Sequence, residues 1–368
     1  MHFRPLRKLL PVLLLAAACS GPAPSGRAAL PLVMDIASGR ATAERGVIDS
    51  RQGPLSAGDI YIAGSPDACR LLCADFLDCD VFDNVRGRSF SDDLKDFAGE
   101  TFACIEDDVF SPYGELISAG DTATLRELAV RYALAALDDK CNVSQFDLDG
   151  NAAKTPAKLL ILADPWMHEY GMFDVDTLFS LTSCPVNLVS PQSLMMDEVL
   201  GGSQKSFNIG IICDSIYVGK GIYPAIFRSK CRQFDIVGAR CFEASVSGRE
   251  GSLYEFLDKY IASGRSEALD AILVDDRALQ YGAVESEILA ARDLNREESM
   301  NYGKLIAPGL RVVRSSDLTM RWCYEVLRSG DLFTHKIALP QASFYSVRKN
   351  PVEGGAHFLL IPASNVQD

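Results

Sequence analysis

The chain repeats one local pattern, in which a short apolar run ends in polar residues and an amphipathic helix follows. The clearest case is residues 268–282, where the apolar run 269–274 is followed by Asp275 and Asp276. An apolar run of this length before a helix predicts a strand that is buried on both faces of a parallel sheet. Ligands of open parallel sheets bind beyond the carboxyl ends of the strands. The two aspartates are therefore candidate ligand-binding residues, with capping of the next helix as the alternative.

The same pattern recurs along the chain in two series. The strands predicted in the first series are Asp59–Ala63, Cys79–Phe82, Thr101–Ile105, Lys158–Ala163 and Pro185–Val189. Those predicted in the second are Asn208–Cys213, Asp235–Phe242, Leu269–Val274 and Leu310–Val313, followed by His335–Leu339, Phe344–Val347 and His357–Ile361. The predicted helices are 67–77, 122–138, 221–233, 252–263, 279–303 and 317–329. Two such series predict an α/β fold of two doubly wound parallel-sheet lobes with an interlobe cleft, which is the default binding site.

The length of the chain supports two folded units. About 310 residues follow the N-terminal region, which is more than a usual single core accommodates. We expect an N-terminal α/β lobe over 58–205 and a C-terminal α/β lobe over 206–368. The final strands belong either to the second lobe or, by a return of the chain, to the first. Residues 58–100 either open the first lobe or form an addition to it.

The N-terminus is typical of an export signal. Three basic residues precede an apolar run that is too short to span a bilayer. The ending Ala-Ala-Ala-Cys19 resembles the cleavage box of bacterial lipoproteins. This resemblance implies removal of residues 1–18, lipidation of Cys19 and a location in the bacterial cell envelope, lipid-anchored and either periplasmic or surface-exposed. Residues 19–57 are rich in Ser, Gly, Pro and Ala and predict a flexible tether.

Charge and cysteine content exclude some partners and ligands. The net charge of −13 argues against binding to nucleic-acid phosphates. Most of the 11 cysteines stand within apolar runs or on helix faces, where we expect buried thiols. Cys69, Cys73 and Cys79 lie close together in the sequence, but no histidine and no fourth ligand stands near them. We therefore predict no metal site, and no cofactor is required.

The segment 164–170, predicted as a loop, is the richest in functional side chains. Asp164 and His168 can form hydrogen bonds with a ligand, and Trp166 and Tyr170 can stack on a flat one. The alternative is that Trp166 fills the core. Polar residues also follow the first strand of the second series. The complete set of candidate ligand-binding residues is Asp164, Trp166, His168, Tyr170, Asp214, Tyr217, Asp275 and Asp276.

Two stretches of the second half resemble a known family. The runs LDAILVDDRALQYGAVESEIL and TMRWCYEVLRSGDLFTHKIALPQASFYSVR are similar to the C-terminal lobe of type I periplasmic binding proteins and of LacI-type sugar-sensing domains. In that family the aspartate after the first of these strands contacts the ligand. The resemblance implies this role for Asp275 or Asp276 and implies lobes that close on a hinge.

The leading functional hypothesis is a lipid-anchored extracytoplasmic solute-binding protein. It would hold a small polar ligand, such as a sugar or nucleoside, in the interlobe cleft by hinge closure. Its partners would be that ligand, the membrane through the lipid anchor, and a transporter or sensor. The alternatives are an enzyme on the same scaffold and a surface interaction lipoprotein without a ligand.

Two enzyme classes can be compared with the sequence. Racemases of the aspartate/glutamate type transfer protons between two thiols, one in each lobe. Cys213 and Cys241 both lie in strands of the second series, and neither matches the Cys-Asn-Thr or Gly-Cys-Thr runs of that family. No Gly-x-Ser-x-Gly elbow is present, so a Ser-His-Asp hydrolase is not indicated either.

Overall fold

The computed structural model describes residues 27–84, 87–201, 207–248, 251–276, 286–288, 302–334 and 336–365. Its strands in chain order are β1 (Asp59–Gly64), β2 (Thr101–Glu106), β3 (Lys140–Cys141), β4 (Ala152–Ala153), β5 (Ala157–Leu162), β6 (Asn187–Val189), β7 (Asn208–Cys213), β8 (Arg240–Ala244), β9 (Leu269–Asp275), β10 (Ile306–Arg314), β11 (Gln341–Lys349) and β12 (Phe358–Pro362). The helices are α1 (Pro31–Ala37), α2 (Thr42–Asp49), α3 (Pro66–Asp78), α4 (Gly114–Ser118), α5 (Thr122–Leu137), α6 (Pro165–Thr182), α7 (Pro191–Leu200), α8 (Ile222–Gln233), α9 (Ser252–Ala262) and α10 (Ser315–Ser329).

The first lobe is built on a six-stranded sheet in the order β12-β11-β2-β1-β5-β6. All neighbouring pairs are parallel except β11 and β12, which are antiparallel. The last two strands of the chain therefore return to this sheet. Strand β1 lies between β2 and β5, so residues 58–100 do supply a central strand of the first lobe.

The second lobe is built on a four-stranded parallel sheet in the order β10-β9-β7-β8. Residues Ala271 to Val274 of β9 are all apolar and all buried, as expected of a strand that is covered on both faces. The α/β fold with two parallel-sheet lobes, predicted from the sequence, is confirmed at this level.

Helices cover both faces of the first sheet. Successive side chains of a strand point to opposite faces, so the residues of β1 divide between two core clusters. Tyr61 and Ala63 belong to one core cluster, together with residues of α5 and α6. Ile60 and Ile62 belong to the other, together with residues of α3 and α10. Helix α10 follows the second sheet in the chain but packs on the first, which ties the lobes together.

Helix α8 of the second lobe packs against α6 and α7 of the first. This contact forms the lobe seam, which is defined here as the region where α6 and α7 meet α8 and the carboxyl ends of β5, β7 and β9.

The predicted strand Cys79–Phe82 is wrong. The backbone N–H groups of Val81 and Phe82 donate to the carboxylate of Asp96, at 2.6 and 3.2 Å, and so does the thiol of Cys79, at 3.1 Å. A buried side chain thus provides the hydrogen bonds that a neighbouring strand would have supplied.

The predicted tether over 19–57 is wrong for its second half. Residues 31–37 and 42–49 form α1 and α2, and Val33, Ile36 and Ile48 are fully buried. Asp174 of α6 accepts a hydrogen bond from the Leu30 backbone N–H at 2.9 Å. This segment packs on the first lobe as part of its core.

Other elements differ from the predictions at their ends. Strand β8 begins at Arg240, five residues later than predicted, and the described residues 336–339 form no strand. Most of the predicted helix 279–303 lies outside the described residues, as do residues 1–26 with the predicted lipidation site Cys19. No helix in the described part of the chain is long and apolar enough to cross a membrane.

Candidate functional site

Asp164 stands at the end of β5, where the segment predicted as a loop begins helix α6 instead. Its Oδ1 accepts the Trp166 backbone N–H at 2.9 Å, which caps the helix, and Pro165 fits the first helical position. Its Oδ2 lies 3.2 Å from Ser65 Oγ and 3.1 Å from the hydroxyl of Tyr217. Tyr217 follows β7, so this last bond crosses from the second lobe to the first. The side chain of Asp164 is buried.

Asp275 is the corresponding residue of the second lobe, at the end of β9. Its Oδ2 accepts hydrogen bonds from the Tyr223 hydroxyl at 2.5 Å and from Gln192 Nε2 at 2.8 Å. Gln192 belongs to α7 of the first lobe, and its Nε2 also lies 3.4 Å from the carbonyl oxygen of Ala163. The carboxylate of Asp275 and the residue before Asp164 therefore contact the same amide group.

The two carboxylates have a reciprocal arrangement. Asp164 of the first lobe is bound by a phenol of the second, and Asp275 of the second is bound by an amide of the first. The seam thus places two buried carboxylates near each other, one from each lobe, at the sheet edge where α/β proteins bind ligands.

Among the described residues, four aromatic rings line the seam beside these carboxylates. The rings of Trp166 and Tyr170 are stacked with centroids 6.2 Å apart, and Trp166 lies 6.3 Å from Tyr217. Tyr217 and Tyr223 meet edge to face at 6.1 Å. Packing of this kind fixes the side chains that bind the carboxylates.

The side chain of His168 contacts a serine of the first lobe. Its Nδ1 lies 2.6 Å from Ser190 Oγ, at the end of β6. Burial, and to a lesser degree the charge of Lys230, lowers the pKa of His168 to about 3. The imidazole is therefore neutral at physiological pH, and its role at the seam is to position α6 against α7.

The carboxyl ends of the second sheet form an acidic edge. Burial raises the pKa of the Cys213 thiol above its usual range, and the charges of Glu243, Asp275, Asp276 and Asp214 raise it further. Glu243 is the last residue but one of β8, and its Oε1 accepts a hydrogen bond from the Gly219 backbone N–H at 2.9 Å. Burial raises the pKa of Glu243 as well. A ligand bound at this edge would lie close to several acidic side chains.

Asp107 also follows a strand of the first sheet, and its environment indicates a structural role. It follows β2, is fully buried, and accepts hydrogen bonds from the Tyr132 hydroxyl and from the backbone N–H groups of Val109 and Phe110. Burial raises its pKa. Its own N–H donates to the carbonyl of Gly64 at 3.0 Å, which holds the ends of β1 and β2 together.

The structure brings together only some of the predicted ligand-binding residues. Asp164, Trp166, Tyr170, Tyr217 and Asp275 meet at the seam. Trp166 is buried, so the alternative that its ring fills the core accounts for its position.

Asp214 and Asp276 have other surroundings. Asp214 is exposed and bonds the backbone N–H of Ile216, and Asp276 is half-buried at the end of the described segment. Sequence reasoning missed Gln192 and Tyr223. Gln192 lies on α7, which was not predicted as a helix, and the pattern of the predicted helix 221–233 indicated only packing for Tyr223.

The two-thiol arrangement considered for Cys213 and Cys241 does not occur. Strands β7 and β8 pair Cys241 with Ile209, four residues before Cys213. Four residues of strand separate the two thiols by about 13 Å. Burial raises the pKa of Cys241 to about 12, so its thiol stays protonated. Among the described residues, no group of three or more His, Cys, Asp or Glu side chains could hold a metal ion.

Comparisons with known proteins give similar folds only. No protein-family model and no curated protein matches the chain. A glutamate racemase from Francisella tularensis matches with 13% identity and a TM-score of 0.45 over 79% of this chain and 89% of that one. A glutamate racemase from Thermus thermophilus matches with 13% identity and a TM-score of 0.44 over 81% and 90% of the two chains. The maleate isomerase of Pseudomonas putida matches with 12% identity and a TM-score of 0.36 over 74% and 92%.

These findings correct the family and function predicted from the sequence. The similar solved structures are racemases and an isomerase, so the predicted membership of the type I periplasmic binding proteins is wrong. The predicted sugar- or solute-binding function is overturned with it. At the identities and TM-scores found, the likeness transfers no activity to this chain.

Proposed function

We propose that the protein is an enzyme that removes a proton from one face of a carbon atom in a small substrate and returns a proton to the other face. Asp164 and Asp275 would form the acid–base pair. The supporting observation is that each lobe contributes one buried carboxylate at a strand end, bound by a side chain of the opposite lobe.

Two carboxyl groups on opposite sides of a substrate can divide the reaction between them. The ionised group accepts the proton from carbon, and the electron pair of the broken C–H bond remains on the substrate. The protonated group then donates its proton to the opposite face of the same carbon. The product has inverted configuration, the two carboxyl groups have exchanged protonation states, and no oxidant or reductant is consumed.

Substrate entry requires that the lobes separate locally. The bonds from Tyr217 to Asp164 and from Gln192 to Asp275 close the seam directly. A substrate that replaces these donors would be held between the same groups, and closure of the lobes around it would exclude water during proton transfer.

The test is interconversion of enantiomers, followed by chiral chromatography. The panel comprises the D and L forms of glutamate, aspartate and the neutral and basic amino acids. Asp164→Asn and Asp275→Asn should each lower the rate by a factor of about 100 or more, the usual contribution of an acid–base group. Asp235→Asn is a matched control, since Asp235 is exposed and has a left-handed backbone conformation that Asn also adopts. Rates unchanged in both seam variants, or no interconversion across the panel, would contradict the proposal.

The second candidate is a structural role without catalysis, in which the seam only holds the two lobes together. It is favoured by the direct hydrogen bonds between the lobes that fill the seam. The two functions differ in what the seam variants change. The structural role predicts that Asp164→Asn and Asp275→Asn destabilise the protein and that the wild type turns over no substrate.

A further inference from the structure

The side-chain carbonyl of Gln192 is a hydrogen-bond acceptor without a donor. Gln192 is fully buried at the seam, and its Nε2 faces two acceptors, Asp275 Oδ2 and the Ala163 carbonyl. Rotating the amide by 180° would place its oxygen against those two oxygens, so the orientation is fixed. Gln192 Oε1 then accepts no hydrogen bond from the described residues. Buried acceptors are normally paired, so this one indicates a ligand that donates.

A second acceptor without a donor lies on the acidic edge. Glu243 Oε2 is buried and accepts no hydrogen bond within the described part of the chain, whereas Oε1 is held by Gly219 N–H. Glu243 and Asp275 are the two carboxylates that act most strongly on the Cys213 thiol. Glu243 stands on β8, and Asp275, which binds Gln192, stands on β9, so the two strands that carry these carboxylates flank β7.

The hydrogen bonds to Asp164 and Asp275 described above come from uncharged donors. Asp164 and Asp275 receive hydrogen bonds from phenols, an amide, a serine hydroxyl and a backbone N–H. Lys220 follows β7 but its side chain is exposed. A substrate carboxylate would face repulsion from the acidic edge, whereas an ammonium group would be attracted to it and would donate to the unpaired oxygens.

We propose that the seam recognises an amine or ammonium group, so that the substrate is amine-bearing and is not a dicarboxylate. The inference rests on the proposed function for the site, and it adds the chemical class of the substrate. The ammonium group would donate to Gln192 Oε1 and Glu243 Oε2, and its carbon would lie between Asp164 and Asp275.

Three probes of equal carbon length test this by isothermal titration calorimetry on the full chain: 1,4-diaminobutane, 4-aminobutanoate and succinate. Each has four carbon atoms, and the two ends carry two ammonium groups, one ammonium and one carboxylate, or two carboxylates. Affinity should fall in that order, with at least a tenfold difference between the first and the last. Succinate binding as tightly as the diamine, or a diamine dissociation constant weaker than about 1 mM, would overturn the inference.

Glu243→Gln should change the affinities for the diamine and for succinate in opposite directions. The substitution keeps the shape and the bond from Gly219 but removes one negative charge. Diamine affinity should therefore fall about fivefold or more while succinate affinity rises or stays unchanged. Glu115→Gln is the matched control, because Glu115 is exposed on α4 of the other lobe, and it should change neither affinity. Equal changes for both probes in Glu243→Gln would contradict a charge-based role.

Binding at equilibrium separates this inference from the proposed reaction. Diamine binding without enantiomer interconversion would leave the amine site intact and refute the proton-transfer function. Interconversion of glutamate together with tight succinate binding would support the reaction and refute the amine preference.

Discussion

Replacing Tyr223 by Phe should lower the free energy of unfolding by about 2 kcal/mol. The ring of Tyr223 is fully buried in the main core cluster and stays there in the variant. Only the hydroxyl is lost, and with it the 2.5 Å hydrogen bond to Asp275. Hydrogen bonds to charged groups contribute about 1.5–3 kcal/mol, and the change leaves no large cavity. Asp275 keeps the bond from Gln192, which limits the loss.

Urea denaturation followed by circular dichroism measures this loss as a shift in midpoint at constant slope. Tyr260→Phe is the matched control, because that hydroxyl donates to the neutral carbonyl of Glu267 at 3.0 Å. Its removal should cost about 1 kcal/mol or less. A double-mutant cycle of Tyr223→Phe with Asp275→Asn should give a coupling energy above about 0.5 kcal/mol. A loss at Tyr223 no greater than at Tyr260, or additive effects in the cycle, would refute the reasoning.

Four further predictions concern other parts of the chain. Lys158→Met should destabilise the protein by about 3–5 kcal/mol in urea denaturation, because Glu100 is left buried without its cation; a loss below about 1 kcal/mol would contradict this. Burial raises the pKa of Asp59 from 3.8 to about 6, so the wild type loses stability as the pH rises through that range. Asp59→Asn should therefore gain stability relative to the wild type between pH 4 and pH 7, and a difference independent of pH would count against it. The His168 ring resonances should not titrate between pH 5 and pH 8 in NMR spectra, since the pKa is lowered to about 3; a midpoint near the ordinary value would disprove the assignment. Cys19→Ala should release the protein from the membrane fraction, and unchanged fractionation would refute lipid anchoring.

Sequence reasoning was most accurate where hydrophobic periodicity alone decides the structure. The strands over 101–105 and 269–274 agree with β2 and β9 to within one residue. Apart from Thr101 and Asp270, both are apolar runs that a parallel sheet buries on two faces. Prediction failed at Cys79–Phe82, where the carboxylate of Asp96, 14 or more residues away, binds the backbone. No local pattern contains that information.

The N-terminal segment illustrates a second limit. Its Ser, Gly, Pro and Ala content indicated a tether, yet α1 and α2 place only three side chains, Val33, Ile36 and Ile48, fully in the core. Two short helices that dock by so few apolar residues have a weak periodic signal. Their stability comes from the surfaces they cover, α1 on α6 and α2 on α5, which the sequence does not reveal.

The candidate site was predictable in part. Asp164 and Asp275 follow strands, and strand-end position alone singled them out. Their partners could not be identified this way, because Tyr217 bonds to Asp164 across 53 residues and Gln192 to Asp275 across 83. The family assignment failed for a related reason. A strand, an aspartate pair and a helix of small residues occur in many α/β folds, so that pattern predicted the sheet correctly and the family wrongly.

The most direct test of the central claim is solvent deuterium incorporation into each enantiomer of a turned-over substrate, followed by NMR spectroscopy. One carboxylate per lobe predicts complementary defects. Asp164→Asn should block exchange that starts from one enantiomer and retain exchange from the other, and Asp275→Asn should show the reverse preference. Loss of exchange from the same enantiomer in both variants, or retention from both, would contradict proton transfer between the two lobes.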